Sequence, residues 1–274
     1  MLIETADVLS NNLLTGEYRV LILASPQIGS QVQPGQFVHL RLPHLTEAVL
    51  RRPFSVFKTD DSTLSLLYKC VGKGTRAMAR LRPGDSVSLL GPLGKGFPPI
   101  GRDITPVLVA GGYGMAALYL LARQAPVPGI VFAGGARAED ILCADDFETI
   151  GWQVRVTTED GSRGDKGLVT EAMDAWLRQD RTSPVPEFFA CGPTGMLQAV
   201  SQRAQAGGWK AWLSLDRHMG CGLGACLACV QKVRVTPSSP QNGATAKPEA
   251  GWTWARICTE GPVFECRDIL WDEA

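Results

Sequence analysis

The sequence predicts a multidomain protein with an antiparallel β-barrel, an α/β domain built on a parallel sheet, and a small module organised around cysteines. Three observations predict it. Short apolar runs separated by turn residues fill the chain up to about residue 90, strand-like and helix-like runs alternate after residue 101, and four of the five cysteines beyond residue 208 form one spaced set. The expected boundaries are 1–100, 101–208 and 209–274. A chain of 274 residues is long enough for about two domains, and 45% hydrophobic with 20% charged residues is the composition of an ordinary globular protein rather than a disordered one.

The barrel rests on five expected strands, at 18–24, 37–42, 54–57, 64–68 and 86–90. Turns punctuate them: Pro34-Gly35 and Arg82-Pro-Gly-Asp85 place a proline that presets φ beside a glycine that supplies positive φ. Regular spacing of short strands suggests an antiparallel barrel. Arg51-Arg52-Pro53-Phe54-Ser55 enters the third strand. There a guanidinium can hold a phosphate while Ser55 meets the edge of a flavin ring, although a surface arginine pair beside a core phenylalanine has the same sequence. Tyr68-Lys69 and Gly72-Lys-Gly74-Thr75 follow in the next strand and turn, where N–H groups and a hydroxyl can meet a pyrophosphate. The combination suggests a flavin dinucleotide. Thr75 as an ordinary N-cap for 76–81 is the competing reading, and both can hold together.

A stretch rich in Gly and Pro from 91 to 101 marks the first boundary. The period then changes, with buried strands expected at 106–110, 130–134, 154–157 and 188–190 and helices at 115–123, 170–178 and 195–203, which implies a parallel sheet. Ligands of such a sheet bind beyond the carboxyl ends of its strands, where Gly111-Gly112-Tyr113-Gly114 and Cys191-Gly192-Pro193 both fall. The first is a phosphate-turn candidate short of a full G-x-G-x-x-G, and its glycines can equally serve tight strand–helix packing. Cys191 can lie near a nicotinamide ring or be a buried small side chain.

The third segment carries the most specific signal. Cys221-Gly-Leu-Gly-Ala-Cys226-Leu-Ala-Cys229 followed by Cys258 is the C-x4-C-x2-C…C spacing of plant-type [2Fe–2S] sites. Gly222 and Gly224 suit a loop wrapped closely around such a group. A four-cysteine zinc site competes, although zinc ribbons show two paired C-x2-C knuckles; a disulfide pair is the third option. His218 lies three residues before Cys221, but four cysteines already complete the ligand set. His39 and His44 read as strand and loop residues. Residues 237–251 form a polar, Pro/Ser/Gly/Ala-rich excursion between the third and fourth cysteines.

The remaining patterns exclude function classes. With 27 basic and 27 acidic residues the formal charge is zero and no basic tract stands out, which does not favour nucleic acid. Residues 104–122 carry no charge and are long enough to resemble a membrane span, but Gly111 to Gly114 divide them into strand, turn and helix. The first residues show no basic segment ahead of an apolar core, so a cytoplasmic protein without a membrane role is expected.

Together these residues resemble the electron-transfer subunits of NAD-dependent dihydroorotate dehydrogenase, within the ferredoxin-reductase-like flavoproteins. The resemblance covers nearly the whole chain. It rests on Arg52-Pro-Phe-Ser55, Gly72-Lys-Gly-Thr75, Gly91-Pro-Leu-Gly94, Gly111 to Gly114, Glu159-Asp-Gly-Ser162, Lys166-Gly-Leu-Val-Thr170, Cys191-Gly-Pro193, the loop from Met219 to Cys229, and Cys258-Thr-Glu-Gly-Pro-Val-Phe264. It implies an FAD barrel, an NAD domain and a ferredoxin-like [2Fe–2S] module. The module would face a separate FMN-containing catalytic subunit that oxidises dihydroorotate for pyrimidine biosynthesis, in a heterotetramer. The implied cofactor-binding residues are Arg52, Pro53, Phe54, Ser55, Leu67, Tyr68, Lys69, Gly74 and Thr75, then Gly111, Gly112, Gly114, Cys191 and Gly192. Cys221, Cys226, Cys229 and Cys258 are the implied iron ligands. Electrons would pass from the partner's flavin through the cluster to FAD and on to NAD, and Glu159 and Asp160 would favour NAD over its 2′-phosphorylated form. Ala110, Tyr113, Ala117 and Glu260 depart from the family pattern, and the stretch between Cys229 and Cys258 is longer than expected. The same modules also suit a diaphorase-type subunit of another complex, such as a ferredoxin:NAD(P) reductase or a hydrogenase-linked flavoprotein. A zinc-stabilised interaction protein is the alternative outside enzymes.

Overall fold

The computed structural model describes residues 1–42, 45, 50–179, 184–235 and 251–271. His44 and residues 237–250 of the polar excursion lie outside the described residues.

The first unit contains β1 (Leu2–Thr15), β2 (Tyr18–Ala24), α1 (Pro26–Gly29), β3 (Phe37–Arg41), β4 (Arg52–Thr59), β5 (Thr63–Lys69), α2 (Lys73–Met78) and β6 (Ser86–Leu93). The strands close into a barrel of order β1-β2-β5-β4-β3-β6, antiparallel at every pairing. Leu21 and Leu23 of β2, Val38 and Leu40 of β3, and Leu64 and Leu66 of β5 are fully buried. Burying each such side chain contributes about 1.5–3 kcal/mol. All five expected strands form; β1 is additional. Its inward positions include Glu4, only 5% exposed, which breaks the apolar alternation that would mark a strand. The Glu4 carboxylate accepts hydrogen bonds from Ser25 Oγ at 2.6 Å and the Ile28 N–H at 2.9 Å, tying β1 to the start of α1.

The second unit alternates β7 (Thr105–Gly111), α3 (Gly114–Gln124), β8 (Ile130–Gly135), α4 (Ala144–Thr149), β9 (Gln153–Thr158), β10 (Asp165–Lys166), α5 (Val169–Gln179), β11 (Pro186–Cys191), α6 (Thr194–Gly207) and β12 (Lys210–Ser214). The last segment adds β13 (Val230–Arg234), β14 (Trp252–Arg256), α7 (Ile257–Glu260) and β15 (Val263–Glu265). The central sheet runs β10-β9-β8-β7-β11-β12-β15, parallel except for β15, which returns antiparallel beside β12. β13 and β14 form a separate hairpin. Two strands of the region expected as the cysteine module, β12 and β15, are therefore the edge of the central sheet.

The membrane-like stretch resolves into β7, a glycine turn and α3, as its glycines imply. Every residue of α3 from Gly114 to Ala122 is buried. The reason is its position in one apolar layer shared by barrel and sheet, with Tyr119 against Phe57 of β4 at a ring separation of 5.2 Å and Met115 in the same cluster as Phe189 of β11. A helix covered on all sides is apolar all round. Helix α5, by contrast, buries one stripe, Val169, Met173 and Trp176, and exposes the opposite face. Among the described residues no helix is long and apolar enough to cross a membrane.

Candidate functional site

A cavity of about 330 Å³ lies between the barrel and the sheet. Arg52, Pro53, Phe54 and Ser55 of β4, Leu67, Tyr68 and Lys69 of β5, and Thr75 of α2 all line it, so the sequence motifs converge on one wall. Gly74 shapes that wall indirectly. A Cβ built on Gly74 would come 1.9 Å from Arg52 Nε, so the missing side chain is the seat of the guanidinium. Arg52 Nη1 donates to the Leu50 carbonyl at 2.8 Å, which fixes the fork further. Thr75 is not the N-cap of its helix: Gly72 is, and Thr75, three residues inside, accepts the N–H groups of Val71 and Gly72 at 3.0 Å each. Phe54 and Tyr68 meet edge to face at 6.1 Å. The Tyr68 hydroxyl donates to Asn11 Oδ1, and burial pushes its pKa up to about 12.

The opposite wall comes from regions far along the chain: Cys191, Ser214, Asp216, His218, Met219 and Pro262. Pro262 reaches it because two motifs interlock. A Cβ on Gly94, whose φ is +77°, would stand 2.7 Å from Pro262 Cδ, and Lys95 bridges to Pro262.

A second cavity of about 630 Å³ opens at the carboxyl ends of the parallel strands. Gly111, Gly112, Gly134, Gly135, Glu159 and Gly192 contribute to its lining. At the strand-end turns this wall is backbone. A Cβ on Gly111 would stand 2.6 Å from Pro193 Cδ, and one on Gly192 would stand 2.9 Å from the Gly111 nitrogen, so the turns after β7 and β11 touch only because both are glycines. Gly114 does not line either cavity; its role is closure, since a Cβ there would lie 2.0 Å from the Cys191 carbonyl oxygen. The Cys191 side chain is buried, and burial with the nearby Asp216 carboxylate pushes its thiol up to about 12.

Lys69, Tyr113 and Asp216 line both cavities, which makes them the boundary between the two. The Tyr113 hydroxyl donates to Asp216 Oδ2 at 3.0 Å, and burial followed by the carboxylate raises the phenol's pKa. A parallel pair stands opposite. Tyr18 donates to Asp140 Oδ1 at 2.7 Å, and Lys69 Nζ lies 3.7 Å from the same oxygen. Burial alone would raise Asp140, but the Tyr18 hydroxyl, the Arg137 N–H and the Lys69 charge hold it below the ordinary carboxylate range. The sequence does not single out Tyr18, Asp140, Asp216 or Met219 as cavity residues, although Met219 opens the cysteine loop and Tyr18 begins an expected strand. Tyr18 and Asp140 lie in elements with unremarkable patterns, and Asp216 and Met219 follow β12, which the cysteine motif obscures.

The cysteines occupy the loop after β12 and the start of α7. Cys229 and Cys258 are buried at 2% and 1%, packed with Phe37 and Leu93 of the barrel, whereas Cys226 is exposed and flanked by exposed Leu223 and Leu227. Cys221 is a close neighbour of Cys226, and Cys258 of Cys229, with Cys221 also near enough to act on Cys258. No group of three His, Cys, Asp or Glu side chains among the described residues could hold a single metal ion. Neighbouring thiols taken in pairs suit a two-iron core, in which each iron takes two thiolates. Gly222 and Gly224 have φ of +72° and +79°, the left-handed region that favours glycine. Burial opposes ionisation of Cys221, yet the N–H groups of Leu223, Cys226 and Ala225 bring its thiol down to about 6. Cys258 is pushed up to about 12 by burial and by Cys229. Arg256 clamps the loop, donating to the Gly224 carbonyl at 3.4 Å and paired with the Glu260 carboxylate.

Comparison with known proteins agrees with this geometry. Residues 216–270 match the family model described as the iron-sulfur cluster binding domain of dihydroorotate dehydrogenase B. The electron transfer subunit of dihydroorotate dehydrogenase B (NAD(+)) from Geobacillus kaustophilus is 33% identical, covering 97% of this chain and 98% of that protein. The subunit of the same description from Fusobacterium nucleatum is also 33% identical, covering 86% of each. Among solved structures, an NADH-dependent reduced ferredoxin-NADP oxidoreductase studied for flavin-based electron bifurcation superposes with a TM-score of 0.80 at 27% identity, over 97% of this chain and 90% of that one. The ferredoxin NADP+ reductase of Neisseria gonorrhoeae, with bound FAD and NADP, superposes at 0.62 over 74% of this chain and 91% of its own, but at 15% identity that likeness carries the fold alone. On this full-length similarity, the chain belongs to the family of electron transfer subunits of dihydroorotate dehydrogenase B.

Proposed function

We propose that this chain takes electrons from a separate FMN-containing subunit that oxidises dihydroorotate and passes them by way of a [2Fe–2S] cluster and FAD to NAD+, in pyrimidine biosynthesis. The supporting observation is continuity. Met219, two residues before Cys221, lines the barrel-side cavity, and Lys69, Tyr113 and Asp216 join that cavity to the one at the strand ends. When bound, the cluster supplies one-electron transfer and the flavin converts single electrons into the pair that nicotinamide takes as hydride.

The residues divide the work. Arg52, seated on Gly74, holds flavin phosphate; Pro53, Phe54, Ser55, Leu67, Tyr68, Lys69 and Thr75 form the wall against which the flavin is oriented. Gly111, Gly112 and Gly192 would let backbone N–H groups approach a dinucleotide, Gly114 keeps the two turns together, and Cys191 places a neutral thiol in the wall of the barrel-side cavity. Glu159 disfavours a 2′-phosphate. Cys221, Cys226, Cys229 and Cys258 supply the four thiolates. The exposed surface around Cys226, Leu223 and Leu227 is the docking face for the catalytic subunit, in a cytoplasmic heterotetramer. The functional division of the chain is 1–100 for flavin, 101–208 for nucleotide and 209–274 for the cluster, with β12 and β15 of the last part also serving the central sheet.

Co-expression with an FMN-containing dihydroorotate-oxidising subunit tests the proposal. Co-purification with dihydroorotate-dependent reduction of NAD+ is the expected outcome; a chain that reduces ferredoxin from NAD(P)H but neither binds such a subunit nor supports orotate formation overturns it. The likeness to the ferredoxin-NADP oxidoreductase over nearly the full chain is what favours that second reading.

A further inference from the structure

His39 of β3 is fully buried, and neither ring nitrogen has a hydrogen-bond partner in the protein. Leaving a buried donor unmatched is costly, and native folds rarely do it. The ring is not lodged in an inert part of the core. It lies against Gly222, the residue after Cys221: a Cβ on that glycine would meet His39 Cε1, Nδ1 and Nε2 at 2.8, 2.9 and 3.0 Å. Contact with all three atoms means the imidazole is laid on the loop, and any side chain at position 222 would push it away. Phe37 flanks the ring at 5.7 Å, and Arg51, whose Nη1 donates to the Ser88 carbonyl at 2.8 Å, reaches the His39 carbonyl at 3.4 Å rather than its ring.

A second unmatched group stands at the same loop. Thr259 Oγ1 is buried without a partner, and a Cβ on Gly224 would meet that oxygen at 3.2 Å. Two orphaned polar side chains, one from the barrel and one from α7, thus converge on the two glycines of the cysteine loop. What would satisfy both is an electron-rich acceptor inside the loop, which is what sulfur ligands and bridging sulfides are.

We infer that the His39 imidazole donates a hydrogen bond to the sulfur shell of the cluster held by Cys221, Cys226, Cys229 and Cys258, and so raises its reduction potential. The inference rests on the cluster reading above and deepens it. Reduction adds one negative charge to the cluster, and a donor aimed at its sulfurs stabilises the reduced form more than the oxidised one. His39 is a positioning and tuning residue in this account, and it takes no part as an acid or base.

The test uses the full chain purified anaerobically with its cofactors. Iron and acid-labile sulfide are counted first, and material with neither overturns the cluster reading together with this inference. In cluster-loaded protein, potentiometric titration of His39→Phe, which keeps a ring on Gly222 but has no donor, is expected to shift the reduced-to-oxidised ratio at fixed potential about tenfold toward oxidised, as a hydrogen bond to a charged acceptor warrants. For a one-electron couple that is about 59 mV downward. His39→Gln, which keeps an N–H, is expected to recover a large part of the shift. A measurement without any change at His39 stands beside it: His44→Gln/His218→Gln leaves one of the chain's 3 histidines, and imidazole-15N labelling should then give nitrogen coupling to the reduced cluster in pulsed EPR. An unshifted midpoint in His39→Phe, or absence of that coupling, overturns the inference and leaves the cluster in place.

Discussion

The two cavities that meet at Lys69, Tyr113 and Asp216 are built on opposite principles. The barrel-side cavity is walled by side chains, whose positions are set by partners: Arg52 by Gly74 and Leu50, Tyr68 by Asn11, Thr75 by the N–H groups of Val71 and Gly72. The cavity at the strand ends has glycine backbone at the turns after β7, β8 and β11, where Gly111, Gly112, Gly134, Gly135 and Gly192 lie among its lining residues. The difference is one of tolerance. A crowded side chain can swing aside, whereas crowded backbone can move only if the sheet moves with it. The first arrangement suits a resident group recognised by charge and shape, and the second suits a dinucleotide read through peptide N–H groups.

Substitutions that add one methyl group should break or uphold this contrast. The largest effect is expected from Gly114→Ala, where the new Cβ meets the Cys191 carbonyl at 2.0 Å. Relief requires β7, α3 and β11 to part, so denaturant unfolding should show a loss of about 3 kcal/mol, the upper end for overpacking. Gly74→Ala has an even shorter clash, 1.9 Å, but with the movable end of Arg52. Its stability should change little while FAD affinity, read by flavin fluorescence on dilution, falls about tenfold from the lost charged contact. Equal destabilisation by the two substitutions would refute the contrast.

Two smaller effects sharpen it. Tyr113→Phe removes the hydrogen bond to Asp216 at the boundary of the cavities. A bond of this kind contributes about 0.5–1 kcal/mol, so the KM for NADH with an artificial acceptor should change by no more than about fivefold. Asp60, in the turn between β4 and β5, is remote from both cavities. The N–H groups of Ser62 and Thr63 and the Thr63 hydroxyl depress its carboxyl to about 2. A depressed acid stabilises the fold above its unfolded value, about 3.9, and loses that contribution as pH falls through about 2. Asp60→Asn should therefore be less stable than the parent at pH 7 by a margin that shrinks below about pH 4, with both cofactor affinities unchanged.

What could be read from the sequence follows the same division. Glycine turns, the cysteine spacing and strands such as β2 and β5 are written locally, since each depends on residues a few positions apart. β1 was hidden because Glu4 faces inward to hold Ser25 and Ile28, so its pattern is apolar only once α1 is in place. β12 was hidden because it is short and borders the cysteine loop; its place as a strand comes from parallel pairing with β11 and antiparallel pairing with β15. For Thr75, sequence suggested a cap, and the structure moves that role to Gly72 because the helix begins earlier.

The order of units, the chemistry of the cysteine loop and the family were determined by the sequence alone, because spacing along the chain limits which groups one loop can bring together. Which residues share a wall was decided only in three dimensions. Met219 and Pro262 reach the cavity of Arg52, and His39 reaches Gly222, through packing between barrel, sheet edge and loop. Periodicity within an element states which face is buried; what that face is buried against depends on contacts between elements, whose geometry no local pattern contains.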